Sequence, residues 1–309
     1  MAMTLVEAAK LSNNVILKGI IETIITESQL LRNLPFIDIV GNGLSYNQEN
    51  TLPSAGFYSV GGVWTESTPT FTQQTATLKI LGGDADVDEF LRQTRSNIQN
   101  LKAIVVELKS KAVARKFDDT AIYGDATANP LEFDGFHNLV ATGQSINSTA
   151  GPTGSAGSIR KLKALTRLVL PTGPQFLVMS RTTLDNLSDY AERNYSPIKF
   201  AISDYGKPVG FFKGIPIITT DWILQTEAVA GADTWSAKTG GITTSIFAVR
   251  FGEGELAACQ NGGINTKDLG DLEVKDATRT RIKWYCSMAL FRTLALARYN
   301  GILDAAWGA

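Results

Sequence analysis

The chain has 309 residues, 44% of them hydrophobic and 19% charged, with a formal net charge of −1. That length allows two core-bearing units or one large one, and the balance is that of an ordinary globular protein. The near-zero charge supplies no global basic field of the kind that marks nucleic-acid binders. No run of apolar residues reaches membrane-spanning length, and the N-terminal stretch lacks the basic start and apolar core of a secretory signal. Two distant cysteines, Cys259 and Cys286, make a disulfide framework improbable and point to a reducing compartment. The sequons at Asn147, Asn186 and Asn194 are therefore read as chance.

Taken in chain order, residues 5 to 36 read as an N-terminal arm. Ile20, Ile21, Ile24, Ile25, Leu30, Leu31 and Leu34 recur at three- and four-residue spacings, which predicts an amphipathic helix stopped near Pro35. "FIDIV" is a short strand. From Leu44 to Leu81 the sequence reads as two extended strands around a Gly-rich middle, with Thr70, Thr72, Thr75 and Thr77 forming a polar, solvated second strand. Pro53 and Pro69 suit only edges or turns. The segment is a projecting hairpin, and a two-stranded ribbon is marginal alone in water. Its middle nevertheless carries Phe57, Tyr58, Val60, Val63 and Trp64, the candidate contact surface.

The longest helical signal runs from about Asp88 to Asp118. Leu91, Ile98, Val105 and Ala112 repeat at seven, with Leu101, Leu108 and Phe117 in the adjoining stripe. Thirty such residues would span roughly 45 Å. Lys102, Lys109, Lys111, Arg115 and Lys116 load its C-terminal half. A Gly-, Ser-, Thr- and Pro-rich stretch near 149–158 marks a boundary. Beyond it come a helix at 158–170, strand "QFLVMS", helix "RTTLDNLSDYAERN", then strands "GIPIITTDWI" and "SIFAVRF" around a polar loop at 225–243. This is a compact α+β unit. The closing "DLEVKDATRTRIKWYCSMALFRTLALARYNGIL" reads as one long strand broken by a turn, expected to pair with strands that precede that unit.

Motifs for chemistry are lacking. His137 is the only histidine, which removes histidine-cluster metal sites and two-histidine acid–base schemes, and no G-x-S-x-G elbow supplies a serine nucleophile. It is read as a loop or packing histidine. "GEGELA" at Gly252–Ala257 mimics a dinucleotide fingerprint, but Glu253 and Glu255 would face a pyrophosphate and "CQNGG" breaks the helix that should follow. "DADVDE" at Asp84–Glu89 starts like a calcium loop, but Glu89 and Arg95 hold the places that need Gly and Glu. It is read as the acidic start of the long helix, favoured by the dipole and by capping. Neither a cofactor nor a metal site is expected, and no catalytic residue is assigned.

The ordered set of hairpin arm, long helix, inserted α/β unit and closing strand resembles the major capsid proteins of tailed bacteriophages, whose fold is shared with encapsulins. The resemblance is carried by "LPFIDIVGNGLSYNQENTLPSAGFYSVGGVWTES", "ATLKILGGDADVDEFLRQT", "GKPVGFFKGIPIITTDWI" with "IFAVRFGEGELAACQNGG", and "RIKWYCSMALFRTLALARYNGI". It implies an α+β capsid fold: an N-terminal arm (1–41), an extended β-hairpin loop (42–80), a peripheral domain (81–157 and 270–309) with a spine helix at about 88–118, and an axial domain (158–269). The implied protein is a non-enzymatic shell subunit, made in a bacterial host cytoplasm and resident in the virion. It would assemble with itself through pentamers and hexamers, with a portal and a separate scaffolding protein, around double-stranded DNA held by weak non-specific contact. Some relatives begin with a cleaved scaffolding segment, and this chain starts directly at the arm. Others weld their shells by attack of a loop lysine on a neighbour's asparagine. Here no lysine lies between Asn33 and Leu78, so Lys79 at the arm's base would be a poor attacker and Asn261 or Asn300 would have no reactive partner. The alternatives are an encapsulin-type shell around cargo enzymes and, more remotely, a small-oligomer enzyme.

Overall fold

The computed structural model describes residues 19–20, 23–24, 28–51, 53–90, 101–148, 153–194, 198–202, 208–230 and 235–308. The expected arm before residue 19, and Leu91 and Ile98 of the expected helix, lie outside them.

The expected single helix ending at Pro35 is interrupted at Ser28, whose backbone is extended. Ser28 caps a new short helix, α1 (Gln29–Asn33): its hydroxyl accepts from the Leu31 amide at 3.0 Å and donates to Asp118 at 2.6 Å. Strand β1 (Phe36–Asp38) follows, then the ribbon, β2 (Gly43–Thr51) paired antiparallel with β3 (Thr70–Thr77). One residue, Leu78, separates β3 from β4 (Lys79–Asp88). This corrects the reading of Asp84–Glu89 as the acidic start of the long helix for all but Glu89, which is helical. The aspartates are on a strand, where Arg281 and Arg279 of β15 (Ala277–Leu290) grip Asp84 and Asp86 in bidentate pairs at 2.6–2.8 Å. The arginines hold both carboxyls below the usual carboxylate range.

Helix α2 is described over Leu101–Tyr123, five residues past the expected end. Its buried stripe is Val106, Ser110, Val113, Ala114, Phe117 and Ala121, whereas Leu108 and Ala112 of the expected stripe face solvent. Two polar residues turn the register. Ser110 is satisfied by the Val106 carbonyl at 2.7 Å and Asp118 by Ser28, so both can be buried without penalty. Phe117 packs on Trp284 and Phe36, with ring centroids 4.9 and 6.2 Å away.

The sheet under α2 has the order β1-β14-β15-β4, where β14 spans Leu256–Asp271. A second sheet runs β5-β16-β13-β7-β10-β9-β8, with β6 also paired to β16. Its strands are β5 (Ser145–Asn147), β6 (Ser155–Ser158), β7 (Phe176–Met179), β8 (Ile198–Ile202), β9 (Pro208–Phe212), β10 (Ile215–Thr219), β13 (Thr243–Val249) and β16 (Leu296–Gly308). Every residue of β13 is buried, as expected of a central strand covered on both faces. Helices α4 (Ile159–Leu168) and α5 (Arg181–Asn194) cover one face with Leu162, Leu165 and Leu187; α3 (Phe136–Leu139) precedes them in the chain. Between β9 and β10 Lys213 and Gly214 both take positive φ, the two-residue hairpin whose twist matches its strands. A small pair, β11 (Ala228–Val229) and β12 (Trp235–Ala237), occupies the loop expected at 225–243.

Pairing does not follow the expected boundaries. β14 leaves the middle unit to join β1 and β15, and the closing segment divides at Thr293–Ala295. β15 pairs with β4 as expected, while β16 crosses into the larger sheet beside β13. One core, including Phe117, Trp284, Phe247 and Ile218, joins both sheets around α2.

Candidate assembly interface

The ribbon has a rooted half and a free half. At the root, Leu44, Tyr46 and Ala76 pack with Ile39, Cys259, Ala289 and Phe291 on the face of the smaller sheet away from α2. Tyr46 meets the Phe291 ring at 4.8 Å, and Gln48 donates to the Leu290 carbonyl. Burial pushes the Tyr46 hydroxyl above its ordinary pKa. Ser45 and Thr75 share a cross-strand hydrogen bond of 3.1 Å.

Among the described residues 53–69 no strand continues, and the predicted contact residues sit there. Ser54 and Ser67 tie the two sides through a donated amide (2.8 Å) and an accepted hydroxyl (3.1 Å). A tight turn closes from the Gly62 amide to the Ser59 carbonyl at 2.9 Å, with Gly61 at φ +81° where a side chain would be strained. Tyr58 stacks on Trp64 with centroids 4.3 Å apart, and its hydroxyl accepts from the Thr65 amide at 3.3 Å. The structure thus brings Tyr58 and Trp64 together and leaves Phe57, Val60 and Val63 each in water. Phe57 and Val60 are fully exposed, Val63 is 90% and Trp64 77% exposed. The tip is preorganised but not covered.

The other residues singled out from sequence fall elsewhere. Lys79 donates to the Pro130 carbonyl at 2.6 Å, and Asn261 is exposed with its amide 3.5 Å from the Gly41 carbonyl. Asn300 is fully buried. In "GEGELA", Gly252–Glu255 form a turn between β13 and β14 and Leu256–Ala257 open β14, with no helix after it, and Glu255 faces Arg250 and Arg292 at 3.4 Å. Burial raises both thiols, Cys259 to about 11. His137 is buried in a polar joint with Glu227, Tyr123, Ser245 and Arg298. Sequence reading missed this joint; its one visible signal was a lone carboxylate, Glu227, beside the apolar run "AVA". Among the described residues no helix is long and apolar enough to cross a membrane, and no group of three or more metal-binding side chains gathers.

The same architecture recurs in known shells. The chain is similar to the holo-SrpI encapsulin complex from Synechococcus elongatus PCC 7942, with 16% identity, TM-score 0.70, and coverage of 100% of this chain and 99% of that one. It is also similar to the structure from Microbacterium phage Oxtober96 (15% identity, TM-score 0.64, 90% and 91% covered) and to the capsid of a native GTA particle (13%, 0.62, 89% and 90%). No curated relative matches in sequence. The family model described as "Phage capsid family" matches residues 11–239, most of the chain. The chain belongs to the phage capsid family.

Proposed function

We propose that this chain is a major capsid protein that self-assembles through pentamers and hexamers into an icosahedral shell enclosing double-stranded DNA. The observation that carries the reading is the ribbon tip: a stacked aromatic pair and three apolar side chains stand in water on a root fixed to the protein's own sheet. Burying such side chains against a neighbour stabilises by roughly 1.5–3 kcal/mol each, and each copy both offers a tip and receives one. Closed shells follow when such head-to-tail contacts repeat with rotations that close. In this reading the smaller sheet with α2 forms the peripheral domain and the larger sheet the axial domain. Portal and scaffolding proteins assist assembly in the host cytoplasm. With a net charge of −1, the wall holds DNA only through weak, salt-sensitive contact.

With Lys79 at the ribbon base, the shell is held without covalent links. Boiled particles should run as a single monomer band; a ladder surviving reducing denaturant refutes that part of the reading. Size-exclusion chromatography and negative-stain imaging test the shell itself, which predicts large particles or capsomer rings. A small discrete oligomer overturns it. A second reading, an encapsulin-type compartment around cargo enzymes, is favoured by the full-length similarity to an encapsulin. Shell contents separate the two: nuclease-protected DNA for the first, co-purifying enzyme for the second.

A further inference from the structure

The joint around His137 places a carboxylate, an imidazole and a guanidinium out of water, where the last strand of the larger sheet meets the end of α2. The Glu227 and His137 side chains are completely buried. The Tyr123 hydroxyl, at the end of α2, donates to Glu227 Oε1 at 2.6 Å and accepts from the Leu224 amide at 2.8 Å. Ser245 of β13 donates to Oε2, and His137 Nε2 lies 3.3 Å from Oε1. Across the ring, Arg298 Nη1 of β16 sits 3.2 Å from both His137 Nδ1 and the His137 carbonyl, while its Nε donates to Ser145 at 3.2 Å.

These partners dictate the tautomer. A carboxylate only accepts and a guanidinium only donates, so Nε2 carries the proton and Nδ1 offers its lone pair. The ring lies nearly parallel to Tyr123 (5.1 Å, 11°) and to Trp235 of β12 (4.4 Å, 25°), whose own centroids are 6.2 Å apart, with Phe247 edge-on at 4.8 Å. One more pair closes the loop over α2: Lys238 binds Asp119 and sits 5.1 Å above the Tyr123 ring. A second observation is independent of the histidine. Asn300, two residues past Arg298 and so on the same face of β16, is wholly buried with neither amide atom hydrogen-bonded.

We propose that His137 is an acid-released latch, closed while its ring is neutral, which clasps β16 to the end of α2. Uptake of one proton from solvent at Nδ1 turns that atom from acceptor to donor and breaks its bond to Arg298. The Nε2 contact with Glu227 becomes an ion pair. The displaced guanidinium then has a free acceptor in Asn300 Oδ1. Glu227, Tyr123 and Arg298 are the titratable groups that face the ring, with Asp119 and Lys238 behind Tyr123. Burial lowers the imidazole pKa from its usual value and Arg298 adds to the lowering, against the pull of Glu227. The latch is therefore shut at neutral pH and opened by acid, whatever the chain encloses.

Because the chain has one histidine, labelling histidine with nitrogen-15 gives one imidazole to read, on sedimented particles or on free subunits. The expected result is an Nε2–H ring that titrates below the ordinary imidazole value of about 6.5, with amide exchange around Arg298 in β16 rising as it titrates. A ring protonated on Nδ1, a titration at or above the ordinary value of about 6.5, or exchange indifferent to the titration would each overturn the proposal. In His137→Gln the side-chain amide can still donate to Glu227 but cannot titrate, so the acid-induced exchange should disappear; its persistence also overturns the latch. Should that variant fail to fold, as circular dichroism would show, the wild-type titration alone decides.

Discussion

The ribbon tip and the joint around Glu227 invert the usual placement of side chains in opposite ways. At the tip, Phe57, Val60, Val63 and Trp64 lie in water; in the joint, Glu227, His137 and Arg298 lie out of it. The tip adds little to folding because, apart from the Tyr58–Trp64 stack, its apolar area stays exposed. The joint costs desolvation, and that cost is offset only because each member has a partner. Misplaced side chains thus separate into those left uncovered, which the proposed shell would bury, and those holding this copy together.

Four measurements would break or sharpen that contrast. The largest effect on folding is expected from Glu227→Ala, which strips Tyr123, Ser245 and His137 of their buried acceptor. Urea denaturation should show a loss of about 3–5 kcal/mol, and a loss below ~1 kcal/mol would mean that the joint is wet. Next comes pH. The folded-state pKa of His137 lies below its unfolded value, so the folded chain binds fewer protons in that window. Its contribution is complete above about pH 6.5 and declines as pH falls toward the lowered pKa, at no more than roughly 1.4 kcal/mol per pH unit. Comparing wild type with His137→Gln across that range isolates the slope. Third, Tyr46→Ala at the ribbon root should cost about 1 kcal/mol through the lost ring pair with Phe291. Last, Trp64→Ser should leave the unfolding midpoint of the isolated subunit within the ~0.5 kcal/mol scatter of surface changes while weakening assembly. Unfolding by Trp64→Ser would show that the tip belongs to the chain's own core.

Much of this was readable from residue order. Helices α4 and α5 and strands β7, β10 and β13 follow apolar spacing that local sequence supplies, and the ribbon tip declares itself because aromatics stand among Gly, Ser and Thr. The failures share a cause, which is that a distant partner decides. Asp84 and Asp86 look like a helix cap until Arg281 and Arg279, almost two hundred residues on, draw them into a strand. The stripe of α2 shifts because Ser28 satisfies Asp118 from 90 residues away. The crossing of β16 to the larger sheet is set by β13 and β5, which no periodicity in β16 specifies. Glu227 lies in a stretch whose composition says only "polar loop", and its burial depends on groups from three other elements.

The single residue between β3 and β4 has a mechanical consequence. Leu78 is held by the Asn42 carbonyl at 2.9 Å, and the other leg of the ribbon leaves the sheet through Gly41 at φ +109°. With β4 locked along β15 and the root held on Phe291 and Leu290, the ribbon cannot turn at Gly41 and Leu78 without pulling Tyr46 and Gln48 from the sheet. Any re-aiming of the tip that leaves that cluster packed is confined to the span beyond Gln48.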